Sequence, residues 1–150
     1  AAVLRELHAA EQRAKGEGGR NAYSLTIIKR SGGALRVTAK FGEPVALLND
    51  LRAFLAHEGV SRRAVYNAFE WMKDLPEDQP AMLMALLAYQ LDRQADKAAK
   101  ATHDVPELAR RLATVAFDPQ QRPGGAKPLA WLQNFMSAAE FLARETRSRD

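Results

Sequence analysis

Residues 22–41 read AYSLTIIKRSGGALRVTAKF, and this stretch decides how the rest of the chain is organised. Tyr23, Leu25 and Ile27 alternate with Ser24, Thr26 and Ile28. After Ser31-Gly32-Gly33, the residues Leu35, Val37, Ala39 and Phe41 alternate with Arg36, Thr38 and Lys40. A period of two residues is the signature of a half-buried strand, and a glycine-containing connection supplies turn chemistry. The pattern predicts an antiparallel β-hairpin with strands over residues 22–30 and 34–41. An isolated hairpin is only marginally stable, so this one needs more sheet or a helical cover.

Working outward toward the N-terminus, Val3, Leu4, Leu7, Ala10 and Ala14 recur at three- and four-residue spacing and predict a helix over 2–16. Gly16-Glu17-Gly18-Gly19 stops it. After Gly42 the periodicity becomes helical throughout. A helix is expected over 43–58, with Pro44 in its first turn and Val45, Leu47, Leu48, Leu51, Phe54 and Leu55 as its apolar stripe. Gly59 is expected to end it. Ser61 is read as the N-cap of a helix over 62–73. A long helix is expected from about 80 to 100, apolar in its first half and charged in its second. Asp104 is read as the cap of a helix over 105–116, and a last helix is expected over 129–146. The expected fold is therefore mainly α, in two parts: residues 1–42 as a helix plus hairpin, and residues 43–150 as a five-helix bundle.

Composition sets limits on the chemistry. The 150 residues are 47% hydrophobic, enough for one domain's core. Cysteine is absent, which excludes disulfides, zinc–thiolate sites, iron–sulfur clusters and thiol catalysis. No apolar stretch is long enough to span a bilayer and no signal peptide opens the sequence. A cytoplasmic setting and no membrane partner are the expectations. The first residue is Ala, and the chain is expected to be a piece of something longer. Net charge is +4, but residues 1–42 carry eight Lys/Arg against three Glu, whereas the remainder carries fourteen basic and fifteen acidic residues. The basic excess lies wholly in the first part, where a positive field favours a phosphate-bearing partner.

Few residues carry recognisable chemistry. His8, His57 and His103 fall on separate predicted elements, without the spacing of metal ligands. The pairs Glu77/Asp78 and Asp92/Asp96 read as solvated charge rather than catalytic acids. Trp71, Trp131, Phe69, Phe135, Phe141, Tyr23 and Tyr89 read as core or interface anchors. Ser61-Arg62-Arg63 opens a helix, where a phosphate can be held. The helices on either side of it also have the spacing of a helix-turn-helix, although a capped helix in a bundle accounts for the same residues. In Ala14-Lys15-Gly16-Glu17-Gly18-Gly19-Arg20-Asn21, two cations and a run of glycine N–H groups meet just before a strand. That loop reads either as a phosphate cradle or as a helix C-cap with basic residues on the dipole.

The last segment resembles the end of a GGDEF-type palm domain, which closes with an Ala-Lys-x-x-Gly-Arg-Asn signature. Here three residues, rather than two, separate Lys15 from Gly19. Lys29-Arg30-Ser31-Gly32-Gly33 in a hairpin, Val60-Ser61-Arg62-Arg63-Ala64-Val65-Tyr66, and the run from Met136 to Glu145 together resemble the polymerase-like large subunit of type III CRISPR effectors, in the Cmr branch. The resemblance covers nearly the whole chain. It implies the end of the second palm domain followed by the helical C-terminal domain, in an antiviral RNA-guided complex. It implies Lys15, Arg20 and Asn21 at nucleotide phosphates. By charge and position, Ser61, Arg62, Arg63, Lys29 and Arg30 are the expected contacts to nucleic acid or a neighbouring subunit. The small helical subunit, the guide RNA and the target RNA are the implied partners, and ATP with Mg2+ or Mn2+ the cofactors of the parent protein. The family's Gly-Gly-Asp-Asp and His-Asp motifs do not occur in this sequence, so no catalytic residue is assigned and the chain is expected to be inactive alone. The competing expectation is an independent nucleic-acid-binding module of winged helix-turn-helix type.

Overall fold

A computed structural model of the chain describes residues 22–28, 34–40, 42–119, 121 and 127–149. The helix expected over 2–16, and with it Lys15, Arg20 and Asn21, lies outside the described residues. So do Lys29, Arg30 and the turn at 31–33.

The hairpin forms as its alternation predicts. β1 (Ala22–Ile28) and β2 (Ala34–Lys40) pair antiparallel, with Leu25 opposite Val37, Ile27 opposite Leu35 and Ser24 opposite Thr38. Leu25, Leu35 and Val37 face the apolar core, with Val37 fully inside it. Thr38 points to the other side, yet it is buried as well, and its hydroxyl donates to Ser24 Oγ at 3.1 Å. The chain leaves the sheet through Gly42, whose φ of 98° is a conformation that only glycine adopts without strain. The Gly42 carbonyl accepts from both Val45 and Ala46 N–H at 3.1 Å, starting the first described helix.

Among the described residues six helices follow: α1 (Glu43–Ala56), α2 (Ala64–Met72), α3 (Pro80–Arg93), α4 (Lys97–Thr102), α5 (Val105–Phe117) and α6 (Pro128–Arg149). α1 packs along α6, and α3 along α5. Leu47, Leu51 and Phe54 of α1, Leu83, Leu87 and Leu91 of α3, Leu112 of α5, and Leu132, Phe135 and Met136 of α6 form a single apolar core with Val37 of the hairpin. β2 packs against α6 and α1, so these helices supply the cover that two strands require.

The expectations for the helices need three corrections. First, the helix expected from 80 to 100 is two helices, which makes six rather than five. The chain breaks at Gln94–Asp96 because the turn after α1 hooks onto it. Ser61 N–H donates to the Gln94 carbonyl and Asp96 N–H to the Gly59 carbonyl, both at 2.8 Å, around a bridge between Val60 and Ala95. Asp96 then caps α4, accepting from Ala99 N–H at 2.9 Å.

Second, α1 ends at Ala56, with His57 in an extended conformation, and not at Gly59. Gly59 is needed for another reason: a Cβ there would run into the Asp96 carboxylate. Third, Ser61 is not the N-cap of α2. That position is Arg63, without a side-chain bond, while Ser61 Oγ accepts from Arg63 N–H at 3.2 Å and braces the turn. Of the aromatics read as core or interface anchors, Trp131 and Phe135 are buried, whereas Trp71 and Tyr89 are 65% and 56% exposed. The Asp104 cap forms as expected, accepting from Glu107 N–H at 3.1 Å.

Candidate functional site

The short turn between α1 and α2, with α2 itself, builds one wall of an open groove of about 670 Å³. α6 builds the other. Ala64, Val65, Ala68 and Met72 turn inward and fix the rotation of α2 on the core. That rotation leaves Tyr66 and Glu70 facing outward and Phe69 half-buried at the groove floor. From α6, Ala130, Gln133, Ser137, Glu140 and Arg144 line the opposite side, at three- and four-residue spacing. Leu129 joins Phe69 and Val65 in the apolar part of the lining.

Charge is unevenly placed along this groove. At one end, Arg62 lies beside Glu140 and Arg144. Arg144 is bonded to Glu140 at 2.6 Å, so its charge is answered internally. Neither Arg62 nor Arg63 has an ion-pair partner among the described residues. Arg63 instead lies over the Tyr66 ring, 4.6 Å from its centroid, which holds the guanidinium in place by cation–π attraction. At the other end Lys73 pairs with Glu70 at 3.6 Å, and Glu77 accepts from Leu129 N–H at 3.2 Å, close to the first turn of α6. The groove thus has an apolar floor, one cationic end, and one end where Lys73 answers Glu70 and Glu77 receives only a backbone N–H.

The sequence-predicted residues divide accordingly. Arg62 and Arg63 line the groove, and Ser61 braces the turn that carries them. The nucleotide assignment of Lys15, Arg20 and Asn21 rests on the sequence alone. Among the described residues no group of three or more His, Asp or Glu is placed to hold a metal ion. Glu77 and Asp96 are structural, each accepting a helix N-terminal N–H. Asp92 faces Lys100 at 3.6 Å. The groove itself was not legible in the sequence, although Gln133, Ser137 and Glu140 do form a polar stripe on the last helix.

Sequence reasoning also missed a histidine pair. His57 and His103 close α1 and α4, and folding brings their rings to 5.9 Å, edge to face, with Phe54 against His103 at 5.7 Å. His57 Nδ1 accepts from Gly59 N–H at 2.9 Å. Burial lowers the His103 pKa below its ordinary value; the His57 charge adds to this and Asp50 opposes it. Nearby, Arg111 reaches from α5 to both Glu43 and Asp50 on α1, and these bonds hold its pKa above the usual value. Arg110 bonds to Glu107, which holds the Glu107 carboxyl below its usual range.

No helix among the described residues is long and apolar enough to cross a membrane. In comparisons with known proteins, the chain matches no family model, no curated protein and no solved structure.

Proposed function

We propose that the chain is the C-terminal portion of the large subunit of a type III CRISPR effector of the Cmr branch. In this reading Lys15, Arg20 and Asn21 contribute phosphate contacts to the palm site of the parent protein. The helical part docks the small helical subunit and the guide–target RNA. ATP and the divalent metal belong to the parent, whose Gly-Gly-Asp-Asp motif is not in these residues. The observation that carries the reading is the mounting of the hairpin directly on the helices. Trp131 Nε1 of α6 donates to the Thr38 carbonyl of β2 at 2.9 Å. The strands that resemble the palm's end and the helices that resemble the C-terminal domain thus pack as one unit, which supports reading them as neighbouring parts of one subunit. Arg62 and Arg63, exposed and with no carboxylate partner among the described residues, supply a contact surface on the helical side.

The winged helix-turn-helix alternative has the α1–turn–α2 pair in its favour. Against it, β2 packs on α6 and α1, and the outward face of α2 that would enter a DNA groove carries Glu70. It predicts salt-sensitive duplex binding by the isolated chain.

The decisive experiment reads the coding sequence upstream of Ala1 and co-expresses the whole protein with the small helical subunit encoded beside it. The reading expects a Gly-Gly-Asp-Asp motif upstream and co-purification with guide RNA. A start codon at or just before Ala1, or tight binding of duplex DNA by the chain alone, would overturn it.

A further inference from the structure

We propose that the groove between α2 and α6 is a docking cleft for an acidic amphipathic helix of a partner protein. The inference rests on the reading of residues 61–63 as a contact surface, and assigns that contact to protein rather than to RNA.

The lining favours a helix. Phe69, half-buried on α2, and Leu129 on α6 give an apolar floor between two polar walls. The nine residues of α2 extend for about 14 Å at 1.5 Å per residue, room for two to three turns of an incoming helix. Such a helix would lay apolar residues at i, i+3 or i+4, and i+7 along the floor. The charges say which helix. Arg62 and Arg63 give one end two positive charges with no ion-pair partner among the described residues, while Glu70 and Glu77 are engaged at the other. The complementary partner carries carboxylates clustered near one end of its apolar stripe, and neutral or mixed residues at the other.

The same facts disfavour a nucleic acid strand. A phosphate backbone running the length of the groove would leave the two arginines and meet Glu77, a carboxylate with no ion-pair partner among the described residues. The Tyr66 ring, the exposed aromatic at the rim, already carries the Arg63 guanidinium, so it offers one face fewer for base stacking.

The test uses the full chain, 15N-labelled, and a synthetic helical peptide of about 16 residues with Leu at i, i+3/i+4 and i+7 spacing and a pair of Glu at one end. The expected result is saturable shifts at the Phe69, Gln133 and Ser137 amides. Binding should weaken by about tenfold or more when the peptide's Glu pair is changed to Lys, and equally in Arg62→Glu/Arg63→Glu. Gln133→Glu, an exposed wall position, should also weaken it. Arg144→Ala, whose charge is already answered by Glu140, should change affinity less than about threefold. Unfolding midpoints of the variants establish that they fold. Absence of peptide binding, equal binding of the Lys peptide, or displacement of the peptide by single-stranded oligouridine at the same amides would each overturn the proposal. The CRISPR assignment is decided separately by the upstream coding sequence. Losing it leaves this readout standing, and losing peptide binding leaves that assignment standing.

Discussion

Trp131 of α6 and Thr38 of β2, 93 residues apart, are joined by a buried hydrogen bond of 2.9 Å from indole N–H to backbone carbonyl. Trp131 also stacks on Phe135, with ring centroids 4.9 Å apart. The hydrogen bond ties the hairpin to the helices, and the stack within α6 holds the ring that makes it. A buried Trp whose N–H finds a partner is stabilising twice over, because the ring leaves water and the donor is not left unsatisfied.

Trp131→Phe keeps an aromatic ring but removes the donor. It is expected to cost about 1–3 kcal/mol. Its mark is regional: amide hydrogen exchange in β2 should accelerate more than in α3 or α5. Equal loss of protection everywhere would mean that this bond does not specifically anchor the hairpin.

Gly59 and Asp96 form the second testable pair. Gly59→Ala forces the Asp96 carboxylate away from the start of α4, combining overpacking with loss of a cap. An expected cost of about 2–4 kcal/mol follows from those two contributions together. Asp96→Ala alone should cost about 1 kcal/mol. The double variant should cost clearly less than the sum, because removing the carboxylate relieves the clash. Urea unfolding of the three variants measures this coupling, and strict additivity would refute the close approach.

The histidine pair predicts a pH dependence. The His103 pKa is lowered in the folded chain, first by burial and then by His57. The unfolded chain therefore binds more protons through this window. Stability from this group is full above the ordinary value of 6.5 and declines as pH falls from there through the lowered native value. The urea midpoint should drop on going from pH 7.5 toward pH 5.5, and His103→Gln should flatten that slope. NMR titration of the two imidazoles gives an independent check: His103 should titrate below the unfolded value.

Arg111 joins α5 to α1 through Glu43 at 2.6 Å and Asp50 at 2.7 Å. Both carboxylates are about half exposed, so the bridge is screened. Arg111→Met should cost about 1 kcal/mol at low salt and less at high salt. Arg111→Lys should recover only part of the loss, because one ammonium cannot match a planar fork spanning two acids. An Arg111→Met cost that does not depend on salt would point to packing instead.

Much of the architecture was legible from local pattern. The period-two runs around 31–33 specify β1 and β2 and their antiparallel pairing, because alternation leaves one consistent apolar face. Pro44, Pro80, Asp104 and Pro128 mark four helix starts for reasons confined to one turn: a fixed φ, a missing N–H or a side-chain acceptor. The break at 94–96 was not legible, because the segment from 80 to 100 has no Gly or interior Pro. What interrupts it is a turn more than thirty residues earlier that offers its backbone better partners. The groove was illegible for a similar reason. Arg62, Arg63 and the local i,i+4 pair Glu140–Arg144 are visible in the sequence, but that α2 and α6 meet to set these charges along one groove depends on packing between distant segments.

The sequence by itself determined the hairpin, the order of the elements, most helix boundaries, the absence of thiol chemistry and the placement of basic charge. These follow from short-range periodicity and from residue chemistry that needs no partner. Only the tertiary structure decided which aromatic rings are core and which are surface, brought His57 to His103, required glycine beside Asp96, and set two arginines at one end of an apolar groove. Each of these depends on residues far apart in the chain becoming neighbours, and local backbone preference carries no information about that.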